Sequence, residues 1–133
     1  VISVVLCVSK KYRRGGLQML SAELLSFIVG NLIIKNMVDR LRPCQIDETV
    51  SLIVKIPFDS SFPSGHTLNG ITAAVTLMFI DKRMGIPAIV LAVLIAFSRM
   101  YNFMHFPTDI LAGAVLGVVS AVFVNFLFKR AGN

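Results

Sequence analysis

The sequence predicts an all-α fold, a polytopic membrane helix bundle of about four to five embedded helices. Hydrophobic residues make up 56% of the chain, and its mean hydropathy is +0.79. This composition is too apolar for a soluble domain of 133 residues, since about half of the residues in such domains are apolar. The apolar residues also fall in long runs that short basic loops separate. We therefore expect one membrane-embedded domain over residues 1–133.

Four apolar segments beyond the chain start are candidates for embedded helices. A membrane span needs about 20 mostly apolar residues. Residues 17–34, with a polar continuation to residue 41, and residues 84–103 and 106–128 reach this length unaided. Residues 66–80 form a shorter segment, which we expect to sit low in the bilayer or to tilt.

The chain starts with one further apolar segment, which is too short to span. Residues 1–9 do not begin with Met, and we expect them to be a helix stub in a chain that lacks its N-terminal helices. A secretory signal peptide is the competing interpretation of an apolar start. Signal peptides place their basic residues before the apolar core, whereas in this chain the basic residues follow it.

The basic loops predict the orientation of the bundle. They follow residues 1–9, 66–80 and 106–128, and all lie on one side because successive loops alternate between the two faces. The positive-inside rule makes this face cytoplasmic. The net charge of +6 is then mostly a membrane anchor, and we expect no nucleic-acid partner. The residues concerned are Lys10, Lys11, Arg13, Arg14, Lys82, Arg83, Lys129 and Arg130.

Neither the cysteines nor the acidic residues indicate a disulfide or a metal site. Cys7 lies in an apolar segment and Cys44 near the opposite face, so we expect no disulfide between them. Neither cysteine has the spacing of a metal ligand. We therefore expect no metal and no cofactor. The acidic residues on the face opposite the basic loops are scattered over a helix end and a loop: Asp39, Asp47, Glu48 and Asp59.

The first polar motif is Lys35 followed by Arg42 and Pro43 at the end of the second segment. Seven residues separate the two cations, which places them on one helix face if the helix continues to Pro43. One phosphate could reach both only if Arg42 curls back at the helix end, and a residue before proline is pushed out of the α region. The alternative is that Lys35 and Arg40 are membrane-interface anchors.

The second motif is Pro63-Ser64-Gly65-His66, which marks a tight turn into a helix. Backbone N–H groups at a helix start are unpaired and form an anion site. Gly65 permits close approach of an anion to the backbone, and His66 would reach over it. The alternative is a helix capped by Ser64 that carries a surface histidine.

The third motif runs from Ser98-Arg99 to His105 and Asp109. Pro107 suits the first turn of a helix, which puts His105 at or just before the helix start. Asp109 lies one turn further, and its carboxylate can accept a hydrogen bond from one ring nitrogen of His105. The other nitrogen would then be a nucleophile. The alternative is that Asp109 only complements the helix dipole.

In order and spacing the three motifs resemble the signature of the type 2 phosphatidic acid phosphatase family: Lys-x6-Arg-Pro, Pro-Ser-Gly-His and Ser-Arg-x5-His-x3-Asp. The resemblance covers residues 17–128. It implies an integral-membrane lipid phosphatase of the bacterial type, in which this chain would lack its N-terminal helices. The family pattern leaves the position of Arg40 free.

The resemblance also implies a role for each motif residue. His105 would attack phosphorus and become a phosphohistidine, with Asp109 orienting it. His66 would protonate the leaving oxygen and later activate water. Fixed cations would replace a metal in stabilising the transition state. The phosphoryl oxygens would be held by Lys35, Arg42, Ser64, Gly65 and Arg99.

Substrate and location follow less directly. The motifs lie at the ends opposite the basic loops, so we expect a multi-pass protein of the cell membrane with an outward-facing site. The expected substrates are undecaprenyl pyrophosphate, which we favour slightly, phosphatidylglycerol phosphate and phosphatidic acid. A non-catalytic protein that binds lipid phosphates and a lipid phosphotransferase remain alternatives. Vanadate-dependent haloperoxidases share the motifs, but they are soluble enzymes and the apolar spans argue against one.

Overall fold

The computed structural model of the chain describes residues 2–46 and 59–132. Within these ranges every regular element is a helix, which confirms the predicted all-α class. Asp47 and Glu48 lie outside the described residues. The elements are α1 (Ile2–Val8), α2 (Arg13–Ser26), a π-helical segment (Phe27–Ile34), α3 (Lys35–Val38), α4 (Pro43–Ile46), α5 (Gly65–Ile80), α6 (Lys82–Tyr101) and α7 (Pro107–Arg130).

Three helical stretches are long and apolar enough to cross a membrane: Arg13–Ile46, Lys82–Tyr101 and Pro107–Arg130. The first of them contains α2, the π-helical segment, α3 and α4. Gly65–Ile80 is apolar but shorter, as the sequence predicts, and α1 has only seven residues. The predicted membrane helix bundle is therefore confirmed.

Helix α5 is the centre of the bundle, because it packs extensively against both α6 and α7 and also contacts α2. Its close approach to α7 depends on two glycines. A Cβ on Gly113 would meet the carbonyl oxygen of Ser64 at 2.7 Å, and one on Gly117 would meet that of Leu68 at 2.8 Å. Small residues permit such backbone contact between membrane helices. This packing fixes the start of α5 against the start of α7.

The outward surface of the bundle is apolar. Helix α6 illustrates this, since it exposes a run of large aliphatic and aromatic side chains while little of it is buried against the other helices. Such a surface suits contact with lipid tails rather than water. The exposed residues on this helix include Val90, Leu91, Val93, Leu94 and Phe97.

The helix that begins with α2 ends earlier than the predicted continuation to residue 41. Helix α3 stops at Val38 because Asp39 adopts a left-handed conformation with φ of 40°, a common way to end a helix. The chain then turns, and Pro43 begins the short helix α4. Lys35 and Arg42 consequently do not share one helix face. Instead, Arg42 curls back toward Lys35, so that both side chains reach the same carboxylate, that of Asp59. Such an arrangement is required if both cations are to contact one phosphate.

Candidate active site

A cavity of about 570 Å³ opens at the end of the bundle where α5 and α7 begin and α3 and α6 end. Six of the eight predicted site residues line it: Lys35, Arg42, Gly65, His66, Arg99 and His105. The remaining two, Ser64 and Asp109, are fully buried and contact each other through the amide of Ser64, which donates to the carbonyl oxygen of Asp109 at 3.0 Å. The fold thus brings together residues that are up to 74 positions apart in the sequence.

Two of the cations converge on the carboxylate of Asp59. Lys35 Nζ lies 2.5 Å from Asp59 Oδ2, and Arg42 Nη2 lies 2.7 Å from Asp59 Oδ1. Both cationic side chains are buried, whereas the Asp59 side chain is 52% exposed. Partial burial opposes ionisation of Asp59, but the hydrogen bonds from Lys35 and Arg42 outweigh it and lower the pKa of the carboxyl group. Sequence reasoning counted Asp59 among scattered acids and missed this contact.

Arg99 supplies the third cation, from the last turn of α6. Its side chain lines the cavity. Within the described ranges, the buried Nε atom of Arg99 has no hydrogen-bond partner. Buried donors without a partner are rare in proteins. Arg99 therefore adds a third positive charge to the lining of the cavity.

His105 lies in the turn between α6 and α7 and is 4% exposed. Its Nδ1 atom is 2.8 Å from the carbonyl oxygen of Ser61. Because a carbonyl oxygen only accepts, Nδ1 carries the proton and Nε2 keeps its lone pair. Arg42 Nη1 donates to Nε2 at 3.2 Å.

The surroundings of His105 also keep it neutral. Burial, assisted by the positive charge of Arg42, lowers the pKa of His105 to about 4. The imidazole is therefore uncharged at neutral pH. An uncharged ring whose unprotonated nitrogen lies beside a cluster of cations has the properties of a nucleophile toward an anionic centre.

Asp109 is fully buried in the first turn of α7. Its Oδ2 atom accepts from Ser61 Oγ at 2.5 Å and from the amide of Phe106 at 2.8 Å. The nearest ring nitrogen of His105 is 3.7 Å from Oδ2, which is too long for a hydrogen bond. The predicted direct bond between Asp109 and His105 is thus replaced by one from His105 to Ser61.

Arg40, for which the sequence offers the role of an interface anchor, contacts the third motif. Its Nη1 atom donates to Asp109 Oδ1 and to Thr108 Oγ1, both at 2.8 Å. Its guanidinium also lies over the ring of Phe106, 4.2 Å from the centroid. Arg40 therefore neutralises the buried carboxylate. The sequence holds no local signal for this pairing, because 69 positions separate the two residues.

The second motif forms the start of α5. Ser64 occupies the N-cap position, but its side chain caps no backbone amide, because its Oγ accepts instead from Thr67 Oγ1 at 3.1 Å. The alternative interpretation, in which the side chain of Ser64 caps the helix, is therefore wrong, although Ser64 does occupy the N-cap position. His66 is exposed in the first turn and lines the cavity that His105 also lines. Both histidines of the chain thus line one cavity.

Comparisons with known proteins agree with this arrangement. A family model described as the PAP2 superfamily matches residues 15–132. An undecaprenyl-diphosphatase of Sulfolobus acidocaldarius is 34% identical over 117 residues, which are 87% of this chain and 56% of that protein. A phosphatidylglycerophosphatase B of Bacillus subtilis is 32% identical over 100 residues, which are 67% of this chain and 46% of the relative.

A solved structure is also similar. The crystal structure of the first transmembrane PAP2 type phosphatidylglycerolphosphate phosphatase, from Bacillus subtilis, matches with a TM-score of 0.77 and 28% sequence identity. The match covers 97% of this chain and 66% of that one. The chain spans about half the length of the curated relatives it matches, 56% and 46% for the two above. Since the family model matches nearly the whole chain, this protein belongs to the PAP2 superfamily.

Proposed function

We propose that the protein is an integral-membrane phosphatase that hydrolyses a lipid phosphate or pyrophosphate through a phosphohistidine intermediate. The observation that carries the proposal is the state of His105, a neutral imidazole whose Nε2 lone pair lies 3.2 Å from a guanidinium of the cation cluster. The names of the relatives support the substrate class, since two of them are phosphatases of a polyprenyl and a glycerol lipid.

In the first step, Nε2 of His105 attacks phosphorus while the bond from phosphorus to the lipid oxygen breaks. His66 gives a proton to the leaving oxygen, and Nδ1 of His105 keeps its own. In the second step, His66 takes a proton from water, whose oxygen attacks phosphorus and releases the histidine. The negative charge that develops on the phosphoryl oxygens is stabilised by Lys35, Arg42 and Arg99.

The cavity suits a phosphate carried on a lipid. Its cationic part lies beside apolar side chains of Phe27, Leu32 and Met104 that line the same space, and these suit the first atoms of a lipid tail. Among the candidate substrates we favour undecaprenyl pyrophosphate over phosphatidylglycerol phosphate and phosphatidic acid. The basic residues at the opposite ends of the helices favour an outward-facing site in the cell membrane, where that carrier is dephosphorylated.

The proposal is tested by phosphate release in detergent from the three lipids side by side, with excess chelator present. The fixed cations already supply the charge that a metal would provide, so we expect chelator-resistant release. His105→Ala should abolish it, because His66, the other histidine that lines the cavity, is assigned to proton transfer in the proposed mechanism. Radiolabelled phosphate retained on acid-sensitive, base-stable protein after a rapid quench would identify the phosphohistidine. A folded protein that binds these lipids and releases no phosphate would contradict the proposal.

A further inference from the structure

Ser61 lies outside the three motifs, yet it is fully buried between the two residues on which the chemistry depends. Its carbonyl oxygen accepts from His105 Nδ1 at 2.8 Å. Its hydroxyl donates to Asp109 Oδ2 at 2.5 Å, and the Oγ atom of Ser61 lies 3.4 Å from His105 Nδ1. Both oxygens of this one residue therefore face the N–H of the nucleophile.

The direction of these bonds makes Ser61 the connection between Asp109 and His105. A serine hydroxyl has one proton, and here the carboxylate takes it. The lone pairs of the hydroxyl oxygen then face Nδ1, and the bond to a carboxylate increases the negative charge on that oxygen. The carboxylate itself stays 3.7 Å from the ring. The hydroxyl of Ser61 is therefore the hydrogen-bonded connection between the carboxylate and the ring.

Ser61 is itself held in place from two sides. Its amide donates to the carbonyl oxygen of Arg40 at 2.8 Å, and the side chain of Arg40 binds the other oxygen of Asp109. The carboxylate thus has a partner for each oxygen, and the serine between it and the ring has a partner for each polar atom. Such a closed network fixes its members more firmly than isolated pairs do.

We infer that Ser61 is the positioning residue of the nucleophile. This inference rests on the proposed function. The carbonyl oxygen of Ser61 sets the tautomer of His105, and its hydroxyl carries the influence of Asp109 to the ring. When Nε2 binds phosphorus, the ring becomes a cation that retains the proton on Nδ1. Ser61 then faces that N–H with two oxygens, and the intermediate gains more from this contact than the neutral ring does.

The test compares Ser61→Ala with Ser60→Ala, its neighbour in the same loop. Among the residues that the structure describes, the Ser60 hydroxyl bonds to the main chain alone, at Arg40 and Phe62. We expect Ser61→Ala to lower kcat by about 10- to 100-fold, the range for losing a hydrogen bond that involves a charged group. KM and the inhibition constant of inorganic phosphate should change little, because the cations are untouched. Ser60→Ala should stay close to the wild type.

A double-mutant cycle with Asp109→Asn separates positioning from general stability. If the carboxylate acts through the hydroxyl, the double variant should lose little more activity than Asp109→Asn alone. Multiplicative losses would overturn the inference. A second variant, Ser61→Cys, retains a weak donor of similar size and should have intermediate activity, and it serves if Ser61→Ala does not fold.

The failures of the inference and of the proposed function have different signatures. An inactive wild-type protein would refute the proposed function. An active wild type with inactive His105→Ala and unaffected Ser61→Ala would refute only the role of Ser61. A Ser61→Ala protein whose KM and phosphate inhibition constant both rise as kcat falls would also overturn it, because the defect would then lie in the whole site.

Discussion

Replacing Asp59 by Asn should make the protein bind inorganic phosphate more tightly. The carboxylate bridges Lys35 and Arg42 with one oxygen on each, and these are the cations that we propose for the phosphoryl group. A carboxylate and a phosphate compete for the same donors. Phosphate therefore has to displace Asp59 before it can use both cations. The Asp59→Asn variant keeps the size of the side chain and removes its charge.

The magnitude follows from the exposure of the contact. The Asp59 side chain is 52% exposed, so each of its ion pairs falls near the range of exposed pairs, about 0.2–1 kcal/mol. The two ion pairs together give a free energy of about 0.4–2 kcal/mol that favours Asp59 bound to both cations. Removing that competition should lower the inhibition constant of phosphate by about two- to thirty-fold.

The assay is competitive inhibition of lipid hydrolysis by inorganic phosphate at fixed, low ionic strength. Asp39→Asn is the matched control, because Asp39 is an exposed acid at the same end of the bundle. Its left-handed conformation, with φ of 40°, is one that Asn tolerates well. This control removes the same charge without touching the cations, so it should change the constant much less.

Two results would refute the reasoning. A weaker inhibition by phosphate in Asp59→Asn would mean that the carboxylate holds Lys35 and Arg42 in their binding positions instead of competing for them. Equal tightening in Asp59→Asn and Asp39→Asn would mean that only the overall charge of this face matters. The first result would also make Asp59 part of the phosphate site.

Two further predictions concern the nucleophile and the packing behind it. The chain has two histidines, so in His66→Gln the ring ¹⁵N resonances belong to His105. These resonances should titrate near pH 4, with the neutral, nucleophilic form of His105 present above that pH and lost below it. Titration near pH 6.5 would contradict the buried site. Gly113→Ala should lower Tm and activity together, since its Cβ would meet backbone at 2.7 Å, and overpacking of this kind destabilises by about 1–3 kcal/mol. Gly70→Ala is the control and should lower neither, because its nearest contact is a methyl group at 3.5 Å. Equal Tm values in circular dichroism melts of the two variants would contradict the close contact.

The sequence predicts the helices and motif positions well because both depend on local patterns. Long apolar runs set the spans, and Pro107 sets the start of α7, so His105 lies two residues before it as expected. The end of α3, by contrast, is explained only in part by local patterns. Pro43 predicts that Arg42 leaves the helix, but the actual break comes earlier, at Asp39.

The contacts within the site could not be predicted in the same way. Ser61 meets His105 and Asp109 across 44 and 48 positions, and Asp59 meets Lys35 across 24 positions. Each of these contacts depends on where Asp59 and Ser61 lie relative to the helix ends, and no periodic pattern encodes that. The roles assigned to His66, Arg99 and the other motif residues stay predictions until variants are measured.

The directions of the helices explain how so many charges can be kept together before a substrate arrives. Lys35 lies in the last turn of the continuous helix that α2, the π-helical segment and α3 form, and Arg99 lies in the last turn of α6. The partial negative charge at such helix ends favours a cation. Asp109 lies in the first turn of α7, where the partial positive charge favours an anion. Each of these three charges thus lies at the helix end that stabilises it. The start of α5 carries no acid in its first turn, so its partial positive charge remains available to an anion such as a phosphate.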